Sequence, residues 1–262
     1  MKKQPLGQNF LVDEGIAREI VHLAGVTPDR PVLEIGPGKG ILTGPLLEQA
    51  GSITAIEIDA RLCRALTDRF GSNENFRLIE ADALKYDYGS LGNGTQVVSN
   101  LPYYAATHIL KRLIHYRSHI ARMTVMLQKE VANRLAAWPG TRDYGSLSVF
   151  VQFYCNVEKL LDVGKEAFSP KPKIDSAVVQ LTPLARPKVQ VDHQKTFFNI
   201  VNAAFLHKRK MLKNNLKGWK NMFCKENGRA QLAGIDLSRR GETLSLDDFA
   251  ALANHIHSRH DG

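Results

Sequence analysis

The sequence predicts an α/β protein in which a mostly parallel sheet is followed by a small all-α C-terminal domain. Between Pro31 and Leu127, short apolar strands alternate with helical segments, which is the pattern of βαβ units. A glycine-rich turn follows the first of these strands, and beyond Pro183 the period becomes helical. A chain of 262 residues can hold one large and one small domain. We therefore predict domains over residues 1–183 and 184–262.

The individual elements follow from periodicity and end signals. Asp13 is placed to cap a first helix that Gly25 ends, and Pro183 and Pro187 punctuate the linker. The predicted strands are 31–35, 52–58, 76–81, 96–99, 123–127, 157–163 and 177–181. The predicted helices are 14–24, 41–49, 60–70, 105–115, 130–137, 145–154, 193–206, 210–216 and 244–256.

Composition and charge restrict the kind of partner. The apolar fraction of 44% and the charged fraction of 23% are those of an ordinary soluble globular protein. Residues 1–183 carry 21 Lys and Arg against 19 Asp and Glu, whereas residues 184–262 carry 14 against 7. This asymmetry within a net charge of +9 favours a polyanion or an anionic membrane as partner.

Targeting and metal-binding signals are few. No apolar run in the sequence approaches the ~20 residues of a membrane span. The widely spaced Cys63, Cys155 and Cys224 favour neither a disulfide framework nor a zinc site. His255 and His257 lie two apart on a predicted helix and therefore do not share a face. We expect a cytoplasmic monomer with no metal and no membrane partner.

The turn Gly36-Pro37-Gly38-Lys39-Gly40 runs directly from a strand into a helix. Its glycines let a ligand lie against the backbone, and the helix N-terminus offers free N–H groups. Glu57, at the end of the next strand, is placed to take ribose hydroxyls, and Asp82, after the third strand, could accept from an adenine amine. Together they predict a nucleoside cofactor. For Glu34 and Asp59 the simpler interpretation is structural: orienting backbone amides and capping a helix.

The motif Asn100-Leu101-Pro102-Tyr103 follows the fourth predicted strand. Ligands of open α/β sheets bind at this carboxyl edge. The Asn100 amide and the Leu101 carbonyl can accept from an exocyclic amine, Pro102 stiffens the turn, and Tyr103 can stack on a base. The motif is therefore suited to holding an amino-bearing nucleobase.

Longer motifs extend these sites along the chain. They are Gly7-Gln8-Asn9-Phe10-Leu11, residues 33–43, 57–59, 81–84, 100–103, 144–149 and 168–178, Phe205 with Arg209, Lys210 and Leu212, and residues 240–245. In this order and combination the chain closely resembles the rRNA adenine N6,N6-dimethyltransferases, the family whose bacterial members are called KsgA. The resemblance covers nearly the whole chain, although the glycine loop alone is shared with most methyltransferases of this fold.

The resemblance implies a Rossmann-like S-adenosylmethionine methyltransferase domain. The reaction it implies is dimethylation of the N6 amines of two adjacent adenines in small-subunit (16S) rRNA during ribosome biogenesis. It assigns cofactor contacts to Asn9, Leu11, Gly36, Glu57, Asp82 and Asn100, to which the glycine loop adds Gly38. The residue types at Glu57 and Asp82 agree with the roles inferred from their positions.

The predicted catalytic residues are Asn100, Leu101, Tyr103 and Phe168. The first two would orient the lone pair of the target amine toward the methyl group, so catalysis would be mainly positioning and electrostatics. Phe168 alone would more often be a core anchor. Within the motif, stacking against a flipped adenine opposite Tyr103 is favoured.

The basic tail predicts a surface for structured RNA. A solvated helix face is the usual explanation of a charge run, but between Ala204 and Arg229 eight basic residues stand against one acid. The predicted RNA-binding residues are Lys208, Arg209, Lys210, Lys213 and Lys217, with Lys171 near the mouth of the active site. The resemblance implies that the partner is rRNA in a small ribosomal subunit precursor.

Two other functions remain open at this point. One is an Erm-type adenine methyltransferase that acts on 23S rRNA, against which Leu101 and residues 175–177 argue. The other is a ribosome-assembly RNA-binding factor whose catalysis is dispensable, against which the intact acids and the Asn100 motif argue. A DNA adenine methyltransferase is less favoured than either of these two, because those enzymes usually have a second proline at the position of Leu101.

Overall fold

The computed structural model describes residues 9–226 and 229–259 and divides the chain into two compact units. The first contains the chain up to Ala132 with Asn156–Pro183, and the second contains Asn133–Cys155 with the chain from Leu184. The units differ from the predicted domain ranges in residues 133–155, and those ranges stay a prediction. A helical period identifies a helix but does not show which core the helix joins.

The bounds of the elements are close to those predicted for the first 183 residues. The strands are β1 (Phe10–Leu11), β2 (Pro31–Ile35), β3 (Ser52–Glu57), β4 (Phe76–Glu80), β5 (Thr95–Asn100), β6 (Ile120–Gln128), β7 (Cys155–Val163), β8 (Phe168–Ser169), β9 (Ser176–Pro183), β10 (Cys224–Glu226), β11 (Arg229–Leu232) and β12 (Ile235–Asp236). The helices are α1 (Glu14–Ala24), α2 (Thr43–Leu47), α3 (Ala60–Phe70), α4 (Ala106–His115), α5 (Lys129–Ala136), α6 (Ser146–Tyr154), α7 (Gln194–Phe205), α8 (Leu212–Asn215) and α9 (Leu246–Ser258).

A seven-stranded sheet with the order β4-β3-β2-β5-β6-β9-β7 forms the centre of the first unit. β2 pairs in parallel with both β3 and β5, whereas β9 is antiparallel to β6. The chain builds outward from β2 through β3 and β4 and then returns to the other side of β2 as β5. The carboxyl ends of β2 and β5 therefore flank a topological switch point, where ligands bind in such sheets. The mostly parallel α/β prediction is confirmed.

Aspartate side chains cap two helices of the first unit, α1 and α3. Asp13 caps α1 by accepting from the Ile16 N–H at 3.0 Å, and Gly25, with φ 58°, ends the same helix. Asp59 caps α3 by accepting from the Arg61 N–H at 2.9 Å, which confirms the structural interpretation of this acid. The caps fix where each helix starts relative to the preceding segment.

The second unit is mainly helical. Phe153 of α6 lies 4.7 Å from Phe197 of α7 between ring centroids, and Phe205 lies 5.8 Å from Phe249 of α9. A three-stranded antiparallel sheet, β10-β11-β12, corrects the all-α prediction for the tail. Its strands have two to four residues, too few to show a two-residue period. Across the described part of the chain, no helix is both long and apolar enough to cross a membrane.

Candidate active site

A cavity of about 930 Å³ lies at the carboxyl ends of the parallel strands in the first unit. All of the predicted cofactor residues line it, and so do three of the predicted catalytic residues. They are Asn9, Leu11, Gly36, Gly38, Glu57, Asp82, Asn100, Leu101 and Tyr103. Gly7 and Gln8, which open the N-terminal motif, lie outside the described residues.

The glycine loop has a backbone that other residues would strain. Gly36, Gly38 and Gly40 have φ values between 60° and 81°. A Cβ added at Gly38 would lie 3.1 Å from Phe10 Cδ1, and one at Gly40 would lie 2.5 Å from Phe70 Cε2. The loop therefore fits closely against the N-terminal strand on one side and α3 on the other.

Glu57 is the acid that organises the loop. Its side chain is buried, and Oε1 accepts from the N–H groups of Ile58 at 2.8 Å and Asp59 at 3.0 Å. Oε2 accepts from the Gly38 N–H at 3.2 Å, which ties the end of β3 to the loop after β2. A carboxylate has about four acceptor positions. Since the described residues use three, one position on Oε2 remains for a hydroxyl in the cavity.

Two further acids line the cavity. Asp82, after β4, is half-buried and accepts from the Leu84 N–H at 2.8 Å, so acceptor capacity remains for an amine.

Glu34, within β2, is 1% exposed and accepts from the Thr43 hydroxyl at 2.7 Å. Burial raises the pKa of Glu34 to about 8, with a smaller contribution from the charge of Glu57 and an opposing one from Thr43. The structure gives Glu34 a side-chain partner, whereas the sequence suggested that it orients backbone amides.

Glu34 should make the stability of the protein depend on pH. Its pKa rises from an ordinary value of 4.5 to about 8 on folding, so between these values the folded state holds one more proton than the unfolded chain. The contribution of Glu34 to the free energy of unfolding therefore falls as pH rises through this window, by roughly 3–5 kcal/mol, and levels off above it. Glu34→Gln keeps an acceptor for Thr43 but does not titrate. Urea denaturation of both proteins should show that the free energy of unfolding of the variant increases relative to that of the wild type from about pH 5 to pH 8. A pH-independent difference would contradict this account of Glu34.

The motif at the end of β5 forms another part of the cavity wall. Among the described residues no hydrogen bond engages the side chain of Asn100, which is half-buried. The N–H of Leu101 donates to the Met126 carbonyl of β6 at 3.2 Å, which fixes the turn. The Tyr103 hydroxyl shares a 2.6 Å hydrogen bond with Ser176 Oγ, and burial raises the pKa of Tyr103. The structure thus brings an amide that can accept hydrogen bonds and a fixed aromatic ring to one cavity.

Phe168 and the predicted RNA-binding residues lie elsewhere. The described residues that line the cavity do not include Phe168, which is 4% exposed in a hydrophobic cluster and pairs with Leu11. The geometry favours the core-anchor interpretation, and stacking by Phe168 stays a prediction. Lys171 is exposed and forms an ion pair with Glu166 at 2.6 Å. The other predicted RNA-binding residues are exposed on the second unit: Lys208, Arg209, Lys210, Lys213 and Lys217.

Several residues of the cavity wall were not assigned a site role from the sequence. Tyr104, Ile58 and Ile174 line it with 61%, 46% and 39% of their surfaces exposed. Lys39 lies over the Phe10 ring, with Nζ 5.1 Å from the centroid. Ile58 and Tyr104 each directly follow a predicted site residue, and that adjacency was the available signal.

Together these features define a Rossmann-like methyltransferase. They are a mostly parallel sheet with a left-handed glycine loop, an acid at or just after the end of each of the next two strands, and an Asn-Leu-Pro-Tyr turn beside them. The family model described as "Ribosomal RNA adenine dimethylase" matches residues 1–258. The chain belongs to this family, which confirms the resemblance found in the sequence. It is an rRNA adenine dimethyltransferase.

Individual relatives agree with the family. The chain is 43% identical over 256 residues to ribosomal RNA small subunit methyltransferase A of Clostridium botulinum, covering 96% of this chain and 93% of the relative. It is 43% identical over 267 residues to the protein of the same name from Geobacillus thermodenitrificans, covering 97% and 90%. The crystal structure of a dimethyladenosine transferase from Plasmodium falciparum matches with a TM-score of 0.77 at 26% identity, covering 96% and 98%. The 23S rRNA methyltransferase ErmE matches with a TM-score of 0.72 at 24% identity, covering 95% and 100%, which shows a likeness of fold alone.

Proposed function

We propose that this chain dimethylates the N6 amines of two adjacent adenines in small-subunit (16S) rRNA during ribosome biogenesis, with S-adenosylmethionine as methyl donor. The observation that carries the proposal is that Glu57, Asp82 and the Asn100–Tyr103 motif share one cavity. The 43% identity to relatives named small subunit methyltransferases supports the choice of substrate. The Erm-type alternative is not favoured, because the likeness to ErmE is one of fold alone.

The residues of the cavity fit S-adenosylmethionine. The left-handed backbone at Gly36 and Gly38 places no side chain between the loop and a ligand. Glu57 keeps an acceptor position for a ribose hydroxyl, and Asp82 keeps one for an adenine amine. When bound, S-adenosylmethionine supplies a methyl group that its sulfonium has already activated.

The contribution of this chain to catalysis is to hold and orient the target amine. The lone pair of adenine N6 is delocalised into the ring, so the nitrogen is a weak nucleophile. Asn100 Oδ1 and the Leu101 carbonyl accept from the amine and favour a pyramidal nitrogen, while Tyr103 stacks on the base. The amine becomes strongly acidic only after methyl transfer and loses its proton then. Catalysis therefore rests on positioning and electrostatics and needs no prior proton abstraction.

The exposed cations of the second unit supply the grip on RNA in this proposal. Lys208, Arg209 and Lys210 follow the end of α7, and Lys213 lies on α8. Structured RNA presents its phosphates and 2′-hydroxyls more openly than its base edges, so a cationic surface suits it. We expect the enzyme to act as a cytoplasmic monomer on small-subunit precursors.

Removing three of these cations should weaken RNA binding without affecting cofactor binding. Replacing Lys208, Arg209 and Lys210 with alanine should raise the Kd for small-subunit RNA by roughly 10- to 100-fold at moderate salt. The slope of log K against log salt should fall by about two to three, because each lost phosphate contact contributes nearly one unit. Filter binding across a salt series, with calorimetry of the cofactor, measures both quantities.

A second triple variant controls for the loss of positive charge. Arg30, Arg64 and Arg77 are exposed cations of the first unit, and they are replaced with alanine in the same way. This control changes net charge equally and should leave the salt slope nearly unchanged. If both triple variants lost RNA affinity alike, the surface would contribute only through overall charge.

Nucleoside analysis tests the proposed reaction in cells. Mass spectrometry of 16S rRNA from cells with and without the gene should show N6,N6-dimethyladenosine only when the gene is present. Restoring the wild-type gene should return the modification. Unmodified small-subunit rRNA in cells that express the protein would contradict the proposal.

A further inference from the structure

The N-terminal strand of the cofactor cavity is paired with the strand that contains Phe168. β1 and β8 form a two-stranded antiparallel sheet in which Leu11 lies opposite Phe168. The pairing continues for one residue, because the Val12 N–H donates to the Ala167 carbonyl at 2.8 Å. Backbone hydrogen bonds therefore determine where residues 10–12 lie.

The side chains of this pair are buried together. Leu11 is 3% exposed and Phe168 is 4% exposed, and both belong to one hydrophobic cluster with Val163 and Val178. Leu11 also lines the cavity, as does Asn9 two residues before it. Leu11 thus joins the cavity wall to the core, and Phe168 is its partner on the core side.

The segment around Phe168 is itself held in place. The carboxylate of Asp175 accepts from the Lys165 N–H at 3.1 Å, closing residues 165–175 into a loop. The Asp175 carbonyl accepts from the Lys129 N–H at 3.0 Å, which anchors the loop just after β6. The strand β8 is therefore a fixed support for β1.

We propose that Phe168 is a positioning residue for the cofactor. From the core it holds β1, and so places Asn9 and Leu11 against the cavity. The inference rests on the proposed function, since the cofactor is taken to be S-adenosylmethionine. It differs from base stacking in its consequences. Positioning affects cofactor affinity when no RNA is present, whereas stacking leaves RNA-free cofactor binding unchanged.

Val12 allows the pairing to be broken without touching the cavity or the core. Its side chain is 48% exposed, and it lies outside the described lining of the cavity. Val12→Pro removes the N–H that donates to Ala167, and the extended Leu11 before it tolerates a following proline. Val12→Ala keeps that N–H and is the matched control.

Calorimetric titration of S-adenosylhomocysteine into the full-length protein, without RNA, tests the proposal. Val12→Pro should raise the Kd by roughly 3- to 10-fold, the effect of about one hydrogen bond, while Val12→Ala binds like the wild type. Phe168→Ala should raise the Kd by about 10-fold or more, and Phe168→Leu, which refills the apolar volume, should recover most of the affinity.

The outcomes distinguish cofactor positioning by Phe168 from base stacking by Phe168. They also distinguish failure of the positioning proposal from failure of the proposed function. If either the Val12→Pro or the Phe168→Ala protein binds S-adenosylhomocysteine like the wild type, positioning is wrong. Loss of methyl transfer by both Phe168 variants with unchanged binding would instead support stacking. If Phe168→Ala does not fold, the Val12 pair decides. Wild type that binds no S-adenosylhomocysteine would overturn the proposed function, and this inference with it.

Discussion

Replacing Asn100 with alanine should lower kcat for methyl transfer by roughly 100- to 1000-fold, the usual effect of removing one preorganised polar partner. The Asn100 side chain lines the cavity, and among the described residues no hydrogen bond engages it, so its amide oxygen is available to the target amine. Alanine leaves the target amine without that acceptor, so the lone pair of the amine nitrogen stays delocalised in the adenine ring. Single-turnover assays on small-subunit RNA measure the rate of the chemical step.

The defect should not extend to RNA binding. RNA affinity should stay within about twofold of wild type, because the proposed RNA contacts lie on other residues. Asn93→Ala is the matched control, since Asn93 is exposed and its side chain contacts the His119 ring. Near-wild-type turnover by the Asn100→Ala enzyme would exclude the amide from the mechanism. Equal loss in the Asn93 control would show a nonspecific effect.

Glu57→Gln should raise the Kd for S-adenosylmethionine by roughly 100-fold and lower the free energy of unfolding by about 1–3 kcal/mol. The Glu57 carboxylate accepts from the N–H groups of Gly38, Ile58 and Asp59. A glutamine has one acceptor oxygen, so its NH₂ group would face at least one of these donors. The variant therefore loses the ribose acceptor and the tie to the glycine loop together.

Glu80→Gln is the matched control for this substitution. Glu80 lies directly opposite Glu57 in the parallel pairing of β3 with β4, but its side chain is exposed. Calorimetry and thermal denaturation should show the control unchanged in both affinity and stability. A Glu57→Gln protein that binds S-adenosylmethionine as tightly as wild type would remove Glu57 from the cofactor site.

The cavity could be predicted from sequence because parallel strands end at one edge of a sheet. The register pairs Ile35 with Ile56 and Glu57 with Glu80, so residues just after β2, β3 and β4 must lie near one another. Once the strands were located, the glycine loop, Glu57 and Asp82 followed. The bonds from Glu57 to three backbone donors could not be predicted, because they depend on the path of the loop.

Phe168 shows where sequence reasoning stops. Its motif places an aromatic ring beside a proline-rich turn but does not show which side of a two-residue strand the ring occupies. The pairing of β8 with β1 decides that point, and it joins residues more than 150 positions apart in sequence. Residues 133–155 are a similar case, because their membership of the second unit depends on packing and not on periodicity.

The most direct test of the central claim is methylation in vitro with labelled S-adenosylmethionine. The substrates are small ribosomal subunits from cells that lack the gene and protein-free large-subunit RNA. Digestion to nucleosides and mass spectrometry should find labelled N6,N6-dimethyladenosine in the small-subunit RNA and none in the large-subunit RNA. Mass spectrometry of ribonuclease-generated oligonucleotides from the small-subunit RNA should place the two modified adenines side by side. Label in the large-subunit RNA, or no label in the small-subunit RNA, would contradict the proposed function.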